Sequence, residues 1–301
     1  KLHNNLIEKF EGKSRAYIEI QQGCDHRCTF CIIPFGRGNN RSVPVEVIVN
    51  RIRNLIKNNY KEVVLTGVDI TDYGKDIPGT PNLFQLSQHL LHLIPELKQL
   101  RLSSIDCAEI TDDFWGLLNN ERFMPHLHLS LQSGNNLILK RMKRRHTKQQ
   151  VITFCEKVRN FRRDVVFGAD IIAGFPTETD EMFEDTIHLI KKCNLTHLHV
   201  FPFSARNSTP ASRMPQIPKN IIKKRAKILR ELGELYLRKY LRSQIGKKTR
   251  VLIEQIKDQV SMGKSQHFTK IEISEVLNKG SIVNCIITDV YENTLRATLI
   301  P

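Results

Sequence analysis

The 301-residue sequence lacks several features that would set it apart from ordinary globular proteins. No apolar run approaches the roughly 18 residues that a membrane-spanning helix needs. No low-complexity tract and no repeat of fixed period is present. Hydrophobic residues at 40% and charged residues at 26% exclude wholesale disorder, collagen and coiled-coil architectures. We therefore expect a globular protein without a membrane partner.

Acidic residues are fewer than basic ones: the sequence has 31 Asp and Glu and 46 Lys and Arg, which gives a formal net charge of +15. Such an excess favours a phosphate-rich partner through counterion release. The seven Cys form an odd set, and no secretory hydrophobic segment precedes them. This combination indicates a reducing compartment, the cytoplasm, and metal or redox use of the thiols rather than disulfides.

Short apolar runs alternate with stretches of helical period from Arg15 onward, which is typical of parallel β/α architecture. The clearest helix begins near Pro44, with apolar residues at spacings of three and four. Small or polar residues end each strand, and in a parallel barrel those ends share the face that carries active sites. Six strands are predicted, at residues 16–21, 62–66, 99–103, 126–131, 165–173 and 197–203.

The pattern changes after a loop at residues 206–218 that contains three prolines. Residues 219–242 predict one long helix with nine Lys or Arg and two Glu. Beyond Gly246, short alternating runs separated by polar turns with Gly263 and Gly280 predict a small antiparallel barrel. Its four runs are residues 249–254, 268–273, 282–289 and 295–300. The chain thus divides into residues 15–242 and residues 243–301.

Three thiols, those of Cys24, Cys28 and Cys31, lie within eight residues directly after the first predicted strand. A structural zinc site wants four ligands, usually as two pairs, and the chain has no second CxxC pair. Three Cys on a [4Fe–4S] cluster would leave one iron open to a small chelating ligand. Chance spacing, or zinc with His26 or a distant His, stays open as an alternative. The other four Cys are isolated and are expected to be small buried hydrophobes.

This CxxxCxxC loop resembles that of the radical S-adenosylmethionine (SAM) enzymes. Further segments resemble the methylthiotransferases of that group, most closely the enzymes that methylthiolate N6-threonylcarbamoyladenosine beside the tRNA anticodon. The resemblance covers Arg15 to about Ser212. It implies a partial (βα)6 radical SAM barrel, followed by a TRAM-like RNA-binding barrel. The segments are residues 31–34, 64–67, 101–104, 126–134 and 170–179.

The resemblance implies that Cys24, Cys28 and Cys31 ligate a [4Fe–4S] cluster whose fourth iron binds SAM. Thr66 and Gly67 would face the methionine end of SAM, although a plain strand-to-helix turn explains them nearly as well. Arg144 would pair with a carboxylate, although basic runs more often form a solvated face. The remaining SAM contacts implied are Ser130 and Gln132, at the ribose or carboxylate, and Ile172, Gly174, Phe175 and Pro176, packed against adenine.

The implied reaction begins when a one-electron reductant reduces the cluster and SAM is cleaved to methionine and a 5′-deoxyadenosyl radical. A methylthio group then reaches adenine C2 in a tRNA anticodon loop. The basic helix and the small barrel are the expected RNA face, and the protein is expected to be a monomer. A noncatalytic RNA-binding remnant and a methylthiotransferase acting on a ribosomal protein are the alternatives.

Family members carry a domain with three further Cys and a second cluster ahead of the radical domain. Residues 1–14 contain no Cys and resemble the end of the linker from that domain. We therefore expect this chain to cleave SAM without inserting sulfur.

Overall fold

A computed structural model describes residues 14–300, and within that range it contains thirteen β-strands and eight α-helices. The strands are β1 Arg15–Gln22, β2 Arg41–Ser42, β3 Glu62–Gly67, β4 Gln99–Leu102, β5 Ser104–Ile105, β6 His126–Gln132, β7 Val166–Ala173, β8 His197–Pro202, β9 Lys248–Lys257, β10 Val260–Ser265, β11 Lys270–Ile273, β12 Ile282–Tyr291 and β13 Thr294–Leu299. The helices are α1 Ile33–Arg37, α2 Val45–Lys57, α3 Leu83–Leu93, α4 Asp113–Leu118, α5 Asn136–Arg141, α6 Lys148–Phe161, α7 Asp180–Lys192 and α8 Lys219–Arg242.

The first eight strands form the predicted partial (βα)6 barrel. One sheet has the order β2-β1-β3-β4 and the other the order β5-β6-β7-β8, with every pair parallel except β1 and β2. Ser103 alone separates β4 from β5, so the third predicted strand is divided between the two sheets. The α/β class and the six β/α units are confirmed.

The helices form for the local reasons that the sequence suggests. In α2 the residues Ile48, Val49, Ile52 and Leu55 are buried, as the spacing of three and four predicts. At the start of α3 the Asn82 side chain accepts from the N–H groups of Phe84 and Gln85, completing a capping box. Helix α8 has the predicted bounds, and it packs against β8 and β7.

The C-terminal part is a closed barrel with the order β10-β11-β13-β12-β9. Two expectations about it are wrong. The barrel has five strands rather than four, because Gly263 lies inside β10 and not in a turn. A Cβ on Gly263 would lie 2.1 Å from the carbonyl oxygen of Leu252, so glycine permits β9 and β10 to approach at a register shift. The pairing of β11 with β13 is parallel, so the barrel is not wholly antiparallel.

The two parts have separate hydrophobic cores. The larger core runs from Ala16 to Leu229, and the smaller one fills the C-terminal barrel. Leu241, near the end of α8, is fully buried in the smaller core. The division at residue 242 stays a prediction, as does the linker at residues 1–14, of which residues 1–13 lie outside the described range. None of the described helices is long and apolar enough to cross a membrane.

A buried carboxylate joins the two parts. Glu62 on β3 is 1% exposed and accepts hydrogen bonds from Arg15 and from Arg101, with Arg101 Nε 3.1 Å from Glu62 Oε1. Arg15 also pairs with Glu254 of β9, and Arg101 Nη1 donates to the carbonyl oxygen of Gln266 at 3.2 Å. Although burial raises the pKa of Glu62, the charges of Arg101 and Arg15 outweigh it and lower the pKa below its usual value.

We predict that Glu62→Gln destabilises the protein by about 3–5 kcal/mol, because two buried guanidinium groups lose their counter-charge. Glu254→Gln is the matched control: its carboxyl is 30% exposed and, among residues 14–300, pairs with Arg15 alone, so the loss should stay at about 1 kcal/mol or below. Urea unfolding measures both. Since the folded pKa of Glu62 is depressed, its contribution is present above the unfolded value of 4.5 and is lost as the pH falls through the folded value. Equal losses in the two variants would contradict the assignment.

Candidate active site

The loop that carries the three thiols begins where β1 ends. Gly23 has a φ of +68°, and a Cβ there would lie 1.9 Å from the carbonyl oxygen of Asn39. Only glycine combines this left-handed backbone with so close an approach. Cys24 N–H donates to the carbonyl oxygen of Gly38 at 3.1 Å, which closes the loop on itself. The backbone thus fixes the position of Cys24.

Gln21 connects this loop to the next strand. Its fully buried amide nitrogen donates to Asn40 Oδ1 at 2.7 Å and to the carbonyl oxygen of Gly23 at 2.8 Å. Its amide oxygen accepts from the N–H groups of Val68 at 3.0 Å and Asp69 at 2.8 Å. One side chain therefore holds the Cys loop and the end of β3 together.

All three thiols are free, and Cys28 is the most buried of them at 9% exposure. Among the described residues, Cys24 forms a group with His26 and Asp69 whose ligand atoms lie within 4.8 Å of one another, but the three thiols together form no such group. A tetrahedral zinc ion with Zn–S bonds of about 2.3 Å would hold its thiolates about 3.8 Å apart. In a multi-iron cluster each iron takes one thiolate, so the three thiols need not meet at a single ion.

The electrostatics of Cys24 fit the same conclusion. Burial raises the pKa of its thiol to about 12, and Asp69, whose Oδ2 lies 3.5 Å from the sulfur, adds to the shift. A thiolate at this position therefore needs a cation in contact with it, which a ligated iron provides. The sequence assigned no role to Asp69, which the register of β3 against β1 brings to the loop.

Arg144 lies beside the Cys loop and not on a solvated face, since its side chain is 8% exposed. Its Nη1 is 3.8 Å from the sulfur of Cys28, and its Nη2 donates to Asp106 at 2.8 Å and to the carbonyl oxygen of Ser130 at 2.7 Å. Burial raises the pKa of Asp106, but hydrogen bonding to His146 and the charge of Arg144 outweigh it and lower the pKa well below its usual range. Arg144 thus lies between the thiol of Cys28 and the buried carboxylate of Asp106.

The predicted adenine-contact segment after β7 belongs to a small apolar core. Phe175 is fully buried there, with Ile172, Ile138, Met142 and Ala211, and Phe30 from the Cys loop packs against the same group. This core anchors the Cys loop to the end of β7. Gly174 faces Ile222 of α8, because a Cβ on it would lie 2.7 Å from that side chain, and Pro176 is buried.

The other predicted SAM contacts lie at strand ends. Gly67 packs on Gln21, whose carbonyl oxygen would be 2.6 Å from an added Cβ, so its packing role is clear. Thr66 and Ser130 are half-buried. Gln132 has a φ of +70° beside a register shift between β6 and β7. The assignment of these residues to SAM stays a prediction.

Sequence reasoning missed a histidine-rich cavity of about 550 Å³ in the lumen of the barrel. Asp170 Oδ1 lies 3.0 Å from His128 Nε2 and 3.2 Å from His199 Nδ1. A Cβ on Gly168 would lie 2.5 Å from His128 Nδ1, so this glycine leaves room for the imidazole. The alternation His126-Leu127-His128 on β6 and His197-Leu198-His199 on β8 was the available signal, because period two places both His of each pair on one face.

Comparisons with known proteins agree with this geometry. The model of the Radical SAM superfamily matches residues 18–190. The "Threonylcarbamoyladenosine tRNA methylthiotransferase MtaB" of Rickettsia prowazekii is 50% identical over 98% of this chain and 70% of its own length. The chain belongs to the threonylcarbamoyladenosine tRNA methylthiotransferases of the radical SAM superfamily. The enzyme of the same name from Chlamydia pneumoniae is 39% identical over 90% of this chain and 64% of its own length.

A related family is also similar. The "tRNA-2-methylthio-N(6)-dimethylallyladenosine synthase" of Rickettsia typhi is 36% identical over 99% of this chain and 68% of its own length. Two solved structures share the fold at 16% identity and a TM-score of 0.52. They are the radical SAM methyltransferase TsrM of Kitasatospora setae, covering 67% of this chain and 38% of that one, and coproporphyrinogen III oxidase of Escherichia coli, covering 83% and 64%.

Family membership confirms the resemblance read from the sequence and the expected cofactors, a [4Fe–4S] cluster and SAM. The three free thiols on one loop suit such a cluster, and the assignment of Cys24, Cys28 and Cys31 as its ligands stays a prediction.

We predict that Cys28→Ala abolishes cluster binding after anaerobic reconstitution with iron and sulfide, because two thiolates cannot hold the cluster. Iron analysis and absorption near about 400 nm measure the loss. Cys107→Ser is the matched control: Cys107 also has a desolvated thiol, but it lies in a short turn after β5 and should leave the cluster intact. Loss of the cluster in Cys107→Ser would overturn the ligand assignment, as would one equivalent of zinc that iron cannot displace.

Proposed function

We propose that this protein is a radical SAM enzyme that methylthiolates C2 of N6-threonylcarbamoyladenosine next to the anticodon of tRNA. The observation that carries the proposal is the free three-thiol loop after β1 in a chain that is 50% identical to an enzyme of that name. Since this chain spans 64–70% of the length of the first relatives described, the activity and the substrate are proposals for the whole protein.

Cys24, Cys28 and Cys31 are the proposed cluster ligands, and the bound cofactors supply one-electron cleavage of SAM and a carbon radical that activates the substrate. Gly23 and Gln21 hold the Cys loop in place. The proposed SAM contacts are Thr66, Gly67, Ser130, Gln132, Arg144, Ile172, Gly174, Phe175 and Pro176. Arg144 is the best supported of them, since its guanidinium group lies next to Cys28 in the interior of the barrel. A one-electron reductant is required.

The proposed RNA face consists of α8 and the C-terminal barrel, residues 243–301, which we take as a TRAM-like domain. Eight of the nine Lys and Arg side chains of α8 are exposed, and only Arg225 is buried, where it pairs with Glu178 at 2.9 Å. A solvated basic stripe of this kind suits a phosphate backbone. The target base must leave its stack to reach the barrel, so an unpaired anticodon loop suits the site better than a duplex. We propose a cytoplasmic monomer.

The two alternatives have less support. The relatives described above carry names of tRNA-modifying enzymes, which disfavours a ribosomal protein as substrate. A noncatalytic remnant has no need of three free thiols on one loop, one of them beside a buried arginine.

The test is SAM cleavage by the cluster-loaded protein with dithionite, followed as 5′-deoxyadenosine by mass spectrometry. We expect slow cleavage that rises severalfold when an anticodon stem-loop with N6-threonylcarbamoyladenosine is added, and less with the unmodified RNA, because a seated substrate excludes water from the site. Cys28→Ala should give none. No cleavage by the cluster-loaded protein would favour the remnant, and stimulation by a ribosomal protein instead of RNA would favour that substrate.

A further inference from the structure

The lumen cavity lies between the two parts of the protein, and the proposed function leaves it unused. One wall comes from strands β1, β3, β4, β5, β6 and β8, and the other from the C-terminal barrel and α8. The side chains that matter here are Arg101, His126, His197, Lys264 and Phe268. A cavity of about 550 Å³ holds a substituent of several heavy atoms.

Positive charge is in excess at the end of the cavity next to Phe268. Three cationic side chains surround the Phe268 ring: Lys264 Nζ lies 3.4 Å from its centroid, Arg101 Cζ 4.9 Å and Arg15 Cζ 5.1 Å. Two carboxylates lie nearby, those of Glu62 and Glu254, and both form ion pairs with the arginines. Among residues 14–300, no carboxylate pairs with Lys264 and no acceptor is hydrogen-bonded to it.

The surroundings of Lys264 make this ammonium group costly to leave without a counter-ion. Burial lowers the pKa of Lys264 to about 8, and the charges of Arg15, Arg101 and Lys270 act in the same direction against the opposing charge of Glu254. An anion bound beside it would offset the loss of hydration and stabilise the charged form further.

A second observation points to a ligand at the same place. His126 lines the cavity, is 7% exposed, and its Nε2 is a buried nitrogen without a hydrogen-bond partner. Its ring stacks on Phe268 with centroids 5.4 Å apart. Burial keeps the pKa of His126 well below its usual value and lowers that of His197 to about 3, so both imidazoles are neutral. They offer hydrogen bonds to uncharged groups such as an amide or a hydroxyl.

Strand β7 connects the side of the cavity lined by His128 and His199 with the proposed reaction site. Asp170, whose carboxylate is held by His128 and His199, lies two residues before Ile172 on β7, so both side chains share one face of the strand. Ile172 packs in the same apolar core that holds Phe30 of the Cys loop. The Asp170 carboxylate is therefore held by these two imidazoles, and within the described part of the chain no ion pair joins it to Lys264 at the cationic end.

We propose that this cavity holds the N6 substituent of the target adenosine, and that the ammonium group of Lys264 pairs with the carboxylate of that substituent. A threonylcarbamoyl group carries a ureido link, a hydroxyl and one carboxylate. The ureido link and the hydroxyl can hydrogen-bond to the neutral imidazoles, and the carboxylate can pair with the ammonium group of Lys264. The inference rests on the proposed function, and it makes Lys264 and His126 residues that determine substrate specificity. A purely apolar N6 substituent would leave both groups unpaired, at a cost that disfavours it.

The test uses three anticodon stem-loop RNAs that differ in one nucleoside: N6-threonylcarbamoyladenosine, its neutral methyl ester, and adenosine. Dissociation constants are measured by fluorescence anisotropy with the whole chain at neutral pH. We expect the acid to bind about tenfold more tightly than the ester, because only the acid pairs with Lys264. Lys264→Met should abolish this preference and bind the ester about as well as the unchanged protein does.

Lys257→Met is the matched control, since Lys257 is exposed on β9 outside the cavity and its loss weakens all three RNAs equally. If Lys264→Met does not fold, the dissociation constants of the unchanged protein for the acid and the ester RNA still test the inference. Equal affinities for acid and ester would overturn the inference and leave the proposed function standing. A preference that survives in Lys264→Met would overturn the role of Lys264. Failure to bind any of the three RNAs would instead contradict the proposed function.

Discussion

The buried carboxylate of Glu62 is the interaction on which the arrangement of the two parts depends. It lies in the interior of the barrel, where an unpaired charge destabilises the fold because it has lost its hydration. It is stable there because Arg15 and Arg101 bind it from neighbouring strands. The same arginines reach the C-terminal barrel through Glu254 and the backbone of Gln266. Their guanidinium groups then flank Phe268, which closes one end of the lumen cavity. This one group of ion pairs therefore holds the two parts in contact and also forms one end of the lumen cavity.

At the opposite end of the barrel, hydrogen bonds hold the Cys loop, and a buried ion pair lies beside it. Gln21 uses both ends of its amide to connect the Cys loop with the end of β3, and Gly23 provides the backbone turn that the loop requires. Arg144 and Asp106 then place a guanidinium group beside Cys28. Between these two ends lie the histidines of β6 and β8 and the carboxylate of Asp170. The lumen thus has a cluster end and a cationic end, with neutral hydrogen-bonding groups between them.

Much of this could be predicted from local sequence. Most strand candidates lie within two residues of the observed strands, although β9 ends three residues beyond its candidate, and α8 has the predicted bounds. Hydrophobic periodicity and prolines act over short distances, so these elements can be predicted locally. The loop with Cys24, Cys28 and Cys31 was also recognisable because its spacing is local, and its role as the cluster site stays a prediction. Strand β10 was missed because the sequence places Gly263 in a turn. A glycine that allows a partner strand to come close cannot be told from a turn glycine until the pairing of the strands is known. Asp69, Asp106, Lys264 and His126 gained their roles only from register and domain contact, which join residues far apart in sequence.

The central claim is that three thiolates hold a cluster with one iron open to SAM. Electron paramagnetic resonance of the reduced, cluster-loaded protein, recorded with and without SAM, tests it most directly. The account predicts the signal of one [4Fe–4S]⁺ cluster at the three-thiol loop, lost in Cys28→Ala, whose g values shift when SAM binds the open iron. A spectrum that SAM leaves unchanged would contradict the account, because it would mean that no iron of the cluster is free to bind it.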